Sequence, residues 1–341
     1  MLKFYDGFWC FCTKSGLYAA VLTGLASGGL FASKDSLASE IKEWKVPYQN
    51  SRPRDPYTAD GKTVWFVGQR THYLAALDVE SGEFRKVPLD PGTGPHNLIV
   101  EADGTLWFAA NRQRYIGRYR AGQAIHKIMM PDPAARDPHT LIFDGHGKIW
   151  FTLQGSNMVG RLDMKTEKVD LIPALTPAAR PYGIVIDRGG RVWVALFGTN
   201  RLAVVDPETM ELLEIVLPRK ESRPRRLVAT ADGIIWYVDY RGGKLGRLDP
   251  ESGEITEWDL PGGEASRPYA MALDHMNRVW LVETGPSPNR FVGFDPRTKI
   301  FFETVEVPSG GGTVRHMMLH RQSRTIWFGT DANTVGRLKL D

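Results

Sequence analysis

From about residue 41 onward the chain alternates short apolar runs with polar turns, and helical spacing is missing throughout. Residues 137–152, DPHTLIFDGHGKIWFT, show the unit: LIF reads as a strand, DGHGK as a turn and IWFT as a second strand. Runs of this length bounded by Asp and Gly predict β-hairpins. The same hairpin recurs around Ala102-Asp103-Gly104 and Ala231-Asp232-Gly233, followed by LWFAA and IWYVD. A third segment follows each hairpin and carries a small residue before Arg: YIGRY, MVGRL, KLGRL and TVGRL. A fourth ends in or near Pro: FRKVPL, VDLIP, LEIVLP, ITEWDLP and ETVEVP.

The tryptophans of the second segments give the period. They stand at Trp65, Trp107, Trp150, Trp193, Trp236, Trp280 and Trp327, with gaps of 42, 43, 43, 43, 44 and 47 residues. Short strands repeating at about this interval predict a β-propeller. Four strands per repeat and seven repeats make an all-β, seven-bladed propeller over residues 39–341. The indoles are expected to fill the space between neighbouring blades. The chain stops at VGRLKLD, a third strand. Its missing fourth strand is expected at the other end, where Ile41-Lys42-Glu43-Trp44-Lys45-Val46-Pro47 matches Ile255-Thr256-Glu257-Trp258-Asp259-Leu260-Pro261 in kind. That pairing closes the circle and leaves no open sheet edge between first and last blades.

Residues 1–38 read differently. Lys3 and Lys14 precede an uncharged apolar stretch at 16–32, and Ser36-Leu37-Ala38 resembles a small-residue cleavage site. That order predicts a secretory signal peptide and a periplasmic or secreted mature chain starting near Ser39, with an uncleaved membrane anchor as the runner-up. Both cysteines, Cys10 and Cys12, fall before the cut, so the mature chain would have no disulfide, cysteine–zinc site or thiol nucleophile. The net charge of +4 gives no overall nucleic-acid footprint, and a monomer is expected.

Candidate chemistry lies eleven residues before each tryptophan, where the chain reads Arg54, His96, His139, Tyr182, Arg225, Tyr269 and His316. Pro precedes six of the seven, and Arg315 the last. Two residues before them stand Arg52, Gly94, Asp137, Arg180, Arg223, Arg267 and Val314. The first strand of each propeller blade lines the central channel, so these positions predict an inner and an outer collar around one pocket. Every member of the inner collar can donate a hydrogen bond, and three are bases near neutral pH. Mere repeat copying would give one residue type there, whereas the collar holds three. His72, His126, His146, His275 and His320 lie outside the register and read as surface or satisfied side chains.

The repeat RPYGIVIDRGGRVWVALFGTNRLAVVD, with its P-H/Y-x-strand, D-x-x-G/N-x-W-F and G-R-L/I pattern, resembles the blade of the virginiamycin B lyase (streptogramin lyase) family, and the resemblance covers residues 41–341. It implies a seven-bladed propeller that opens cyclic depsipeptides at an ester by elimination, with Mg²⁺ and a His base on the channel face. The family pattern places a His in the sixth blade and Glu-x-His in the seventh. His316 matches the seventh-blade base, but the acid two residues earlier is Val314 and the sixth-blade His is Tyr269. The set recurs four blades round as His96 followed by Asp137-Pro138-His139. The resemblance therefore implies a carbon–oxygen lyase with His316, His139 and His96 as catalytic candidates and Asp137 as a metal ligand. Tyr269, Tyr182, Arg54, Arg225 and Arg315 would hold an anionic or ester-containing small molecule. Elimination beside a carbonyl needs a base and a cation, and His with Mg²⁺ or clustered Arg supplies both. The alternatives are a non-catalytic binding propeller and, behind it, a gluconolactonase-type hydrolase.

Overall fold

A computed structural model describes residues 39–340 and contains 28 strands in seven antiparallel sheets of four. Six sheets follow one another in the chain, at 53–88, 95–129, 138–173, 181–216, 224–259 and 268–306; they are blades one to six. The seventh joins Met317–His320, Thr325–Gly329 and Thr334–Lys339 to the N-terminal strand Glu40–Lys45. The expected closure is therefore present: Glu40 pairs opposite Lys339 and Lys45 opposite Thr334. Trp44 stacks on Trp327 at 5.6 Å between centroids. The Glu43 carboxylate accepts hydrogen bonds from the Ser309 amide and hydroxyl, both at 2.7 Å, and from the Thr334 hydroxyl at 2.5 Å. The expected signal segment, its anchor alternative and both cysteines lie outside the described residues. Among those described, no helix is long and apolar enough to cross a membrane.

The tryptophan period has a packing cause. Each indole lies between its own blade and the next: Trp107 packs with Ile149 and Phe151, Trp150 with Val192 and Val194, Trp280 with Ile326 and Phe328. The acid at the end of the first strand serves the indole as well as the turn. In blade four Asp187 accepts the amides of Gly189 and Arg191 through Oδ1 and the Trp193 indole N–H through Oδ2 at 2.9 Å. The small residue of the third strand also has a reason. Gly117, Gly160, Gly246 and Gly336 stand directly opposite Phe108, Phe151, Tyr237 and Phe328, whose rings lie flat across them, so a Cβ would overlap the aromatic edge.

Candidate functional site on the propeller axis

The inner collar is built by a backbone irregularity. In blades two to six the pairing of the first strand with the second slips by one residue, between Pro95 and Leu98, Pro138 and Leu141, Pro181 and Ile184, Pro224 and Leu227, and Pro268 and Met271. Blade one slips between Arg54 and Tyr57. Strand alternation would send neighbouring side chains to opposite faces, but a bulge lets two consecutive residues turn the same way. The Pro before each pair has no N–H to give to the ladder, which suits it to this break. Beside the predicted collar there is therefore a second one that alternation hides: Asp55, Asn97, Thr140 and Arg226.

The two collars form one buried cluster. Arg54 and Asp55 are 5% and 1% exposed, His139, Tyr182 and Tyr269 2–3%. Arg54 Nη1 donates to His96 Nε2 at 2.7 Å. The His96 and His139 rings lie 3.6 Å apart and His139 lies 4.3 Å from Tyr182. The hydroxyl of Tyr182 is hydrogen-bonded to that of Tyr269, two blades away. The Arg225 guanidinium covers the Tyr269 ring at 3.5 Å and also lies 4.3 Å from Tyr240 and 4.5 Å from Phe197. In the second collar Asn97 Nδ2 donates to Asp55 Oδ2 at 2.9 Å, and Arg226 Nη1 donates to Thr140 Oγ1 at 3.1 Å. Arg226 and Arg54 approach Asp55 at 3.9 and 3.5 Å.

Charge on the axis is unbalanced, with three guanidiniums facing one carboxylate. Burial and the guanidiniums of Arg54 and Arg226 hold the His96 and His139 imidazoles well below the usual histidine range. Burial also lowers His316, to about 4, although Asp55 pulls the other way. All three are neutral bases at neutral pH. Asp55 is kept ionised against burial by Arg54 and Arg226, with the Asn97 hydrogen bond acting in the same sense. Several buried donors have no protein partner: Arg54 Nη2, Arg225 Nε and Arg226 Nε and Nη2, with His96 Nδ1 and His316 Nδ1 beside them.

Other expected site residues stand apart. Asp137 caps a turn, with its oxygens accepting from the Gly155 and Ser156 amides and from the Ser156 hydroxyl. Arg315 is tied to Asp331 at 2.7 Å and reaches the Tyr269 ring only at 5.8 Å. His72 accepts the Gly94 amide, His126 pairs with Glu167 and His320 bonds Ser323. The donor set does not fit Mg²⁺: the sole axial carboxylate, Asp55, is shared by Asn97 and two arginines, and no group of three or more His, Cys, Asp or Glu among the described residues could hold a metal.

Two cavities adjoin the cluster. One, about 470 Å³, lies over blades four to six and is lined by Arg180, Phe197, Arg223, Tyr240, Arg241 and Arg267. The other, about 280 Å³, is largely apolar; Tyr57, Ile99, Leu141, Ile184 and Met317 line it, with Asn97, Thr140 and His316 at its polar side.

A family model described as the virginiamycin B lyase family matches residues 32–205. Among solved structures, the chain is similar to selenomethionine-substituted virginiamycin B lyase from Staphylococcus aureus, at 23% identity and TM-score 0.80, over 89% of this chain and 100% of that one. A catalytically inactive variant of the same enzyme with quinupristin matches at the same identity, TM-score and coverage. A streptogramin B lyase matches at 21% identity and TM-score 0.79, over 89% of this chain and 98% of that one. No curated protein compared with the chain matches it.

Proposed function

The chain belongs to the virginiamycin B lyase family, and on that premise we propose that it is a carbon–oxygen lyase that opens an ester or lactone by elimination at the axial cluster. The observation that carries this reading is the meeting of neutral histidines with surplus guanidinium charge in one buried place. Elimination beside a carbonyl needs a base for the α-proton and positive charge where the enolate develops. A histidine held neutral supplies the first, and guanidiniums fixed on the axis supply the second.

Among the three histidines, His316 is the freest to react. His96 Nε2 is taken by Arg54 and His139 Nδ1 by Thr140, whereas His316 lines the smaller cavity and its Nδ1 has no partner. The ligand class follows from the charge: an ester or lactone with an anionic group. We further propose that the protein acts as an exported monomer, with the apolar stretch at 16–32 as its signal.

The test uses purified residues 39–341 and a panel of lactones and cyclic depsipeptides. Elimination creates a carbon–carbon double bond conjugated to the carbonyl, visible as new ultraviolet absorbance, and takes no oxygen from labelled water. His316→Ala is expected to slow turnover by about 10²- to 10⁴-fold. Oxygen entering the product would make the protein a hydrolase, and saturable binding without turnover would make it a binding propeller.

A further inference from the structure

We propose that Tyr182 and Tyr269 are the base and the leaving-group hydrogen-bond donor of the axial site and that its substrate bears a free carboxylate on the carbon that loses its proton. This rests on the elimination reading, names the substrate class within it, and gives the α-proton to Tyr182 in place of His316. Tyr182 comes from blade four and Tyr269 from blade six, and their hydroxyls meet in a hydrogen bond with both rings buried. The Arg225 guanidinium lies over Tyr269 at 3.5 Å and 5.1 Å from Tyr182, and Arg226 lies 5.1 Å from Tyr182 on another side.

The charge count requires an anion. Asp55 offsets one of the three guanidiniums, and two positive charges remain, one of them on the part-buried Arg225. Uncompensated buried charge is strongly unfavourable, and the unpartnered donors on Arg54, Arg225 and Arg226 leave room for acceptors. A tyrosinate supplies one negative charge and a substrate carboxylate the other. Burial opposes ionisation of Tyr182, but Arg225, Arg54 and Arg226 outweigh it and bring the phenol down to about 8. Tyr269 goes the other way, to about 12, because burial and the Tyr182 charge both disfavour a second anion. Two like groups driven apart in this way are suited to opposite roles.

The outer collar supports the same ligand. Arg180 and Arg267 adopt left-handed backbone angles, φ 53° and 46°, where blade two has Gly94 at φ 53°. A side chain is less favourable there than glycine, so the arginines are held at a conformational penalty. Both line the 470 Å³ cavity, and Phe197 and Tyr240, which also line it, flank Arg225. A carboxylate drawn in by Arg180 and Arg267 meets Arg225 before it meets the tyrosines.

The step balances without metal, water or oxidant. The Tyr182 phenolate takes the α-proton. The C–H electron pair becomes the Cα–Cβ double bond and the Cβ–O bond breaks, with the departing carboxylate accepting a hydrogen bond from the Tyr269 hydroxyl and leaving as the anion. The arginines hold the charge that accumulates on the substrate's own carboxylate. The proton gained by Tyr182 passes to solvent as the products leave, which restores the phenolate.

Two measurements test the pair. In an ultraviolet difference titration of the wild type, one tyrosine should ionise well below the ordinary value of about 10. That signal should vanish in Tyr182→Phe and persist, shifted, in Tyr269→Phe. No low-pH tyrosinate, or one that survives Tyr182→Phe, overturns the proposal whatever the activity. In turnover, a β-acyloxy carboxylate should react and its neutral amide should be at least about 100-fold slower, with Tyr182→Phe losing about 10²- to 10⁴-fold in kcat. Full activity in Tyr182→Phe with loss in His316→Ala overturns the tyrosine assignment and leaves the elimination reading standing. An acidic Tyr182 in a protein that forms no alkene from any substrate overturns the elimination reading instead.

Discussion

Arg54 donates through Nη1 to Nε2 of His96 across the boundary between blades one and two, at 2.7 Å. A guanidinium has no lone pair to offer, so His96 must accept, and its proton sits on Nδ1. Arg54 thereby fixes both the tautomer and the neutrality of the imidazole, and the lone pair that could act as a base is occupied. Arg54→Met removes the donor and one of the charges that depress His96. The His96 imidazole resonance in an NMR titration should then move toward the ordinary histidine value of about 6.5, with His316 following in the same direction.

Stability should fall on mild acidification. A histidine kept neutral in the fold binds its proton only in the unfolded chain once pH drops below about 6.5. Above that pH the three axial histidines contribute no pH dependence. Below it, each one favours unfolding increasingly until its own folded value is passed, near 4 for His316. His316 alone accounts for up to about 3 kcal/mol over that window, and His96 and His139 act in the same sense. Melting temperatures taken from neutral pH to about pH 4 should show a steep decline, flattened in His316→Asn. A flat wild-type profile would mean that the axis admits protons and water freely.

The blade count, the closure and the inner collar were all legible in the sequence because each rests on a repeat: the Trp interval, the orphan third strand at the C-terminus, and the residue eleven before each Trp. The second collar was not. Strand alternation assigns Asp55, Asn97, Thr140 and Arg226 to the face opposite the first collar, and only the bulge turns them to the axis. A signal existed in the run Asp, Asn, Thr, Gly, Arg, Ala, Met at the next register position, which is polar at four places inside apolar strands. Asp137 read as a ligand because acid-x-His is a ligand spacing, but its oxygens are within reach of a turn, and backbone amides take them.

The glycines under the aromatic rings give a prediction about packing alone. In blade three Gly160 lies beneath Phe151, far in sequence from the axial residues and on the third strand. Gly160→Ala drives a methyl group into that ring and should destabilise by about 1–3 kcal/mol. Urea unfolding measures this directly. A neutral outcome would show that the ring can swing aside.

The N-terminal strand should behave as part of the last blade. Removing residues 39–48 leaves Thr334–Lys339 as a bare edge, uncovers Trp327 and strands the Ser309 and Thr334 partners of Glu43. The truncated chain should melt well below the chain that begins at Ser39 and should aggregate through the exposed edge. The milder Trp44→Ala, at a half-buried site, should cost about 2 kcal/mol. Equal melting of truncated and full mature chains would refute closure by this strand.

The sharpest test of the charge imbalance compares the two ends of one ion pair. Among the described residues Asp55 is the sole axial carboxylate, and it holds a left-handed backbone at φ 47° while Asn97, Arg54 and Arg226 surround it. Asp55→Asn keeps the shape and the hydrogen bond to Asn97 but leaves the buried guanidiniums of Arg54 and Arg226, with the part-buried Arg225 beside them, without a counter-charge, which should cost about 3–5 kcal/mol. Arg226→Met should be far gentler. It removes a surplus cation, leaves Asp55 with Arg54, and leaves Thr140 bonded to His139. In an evenly matched pair both truncations would be comparably damaging, because each strands one charge. In an over-cationic cluster only loss of the anion is severe, and adding Arg226→Met to Asp55→Asn should recover part of the loss in a double-mutant cycle. Chemical denaturation of the four proteins decides between these cases. Equal penalties, or a larger one for Arg226→Met, would mean that the axis has no spare positive charge and would remove the physical basis for an anionic ligand there.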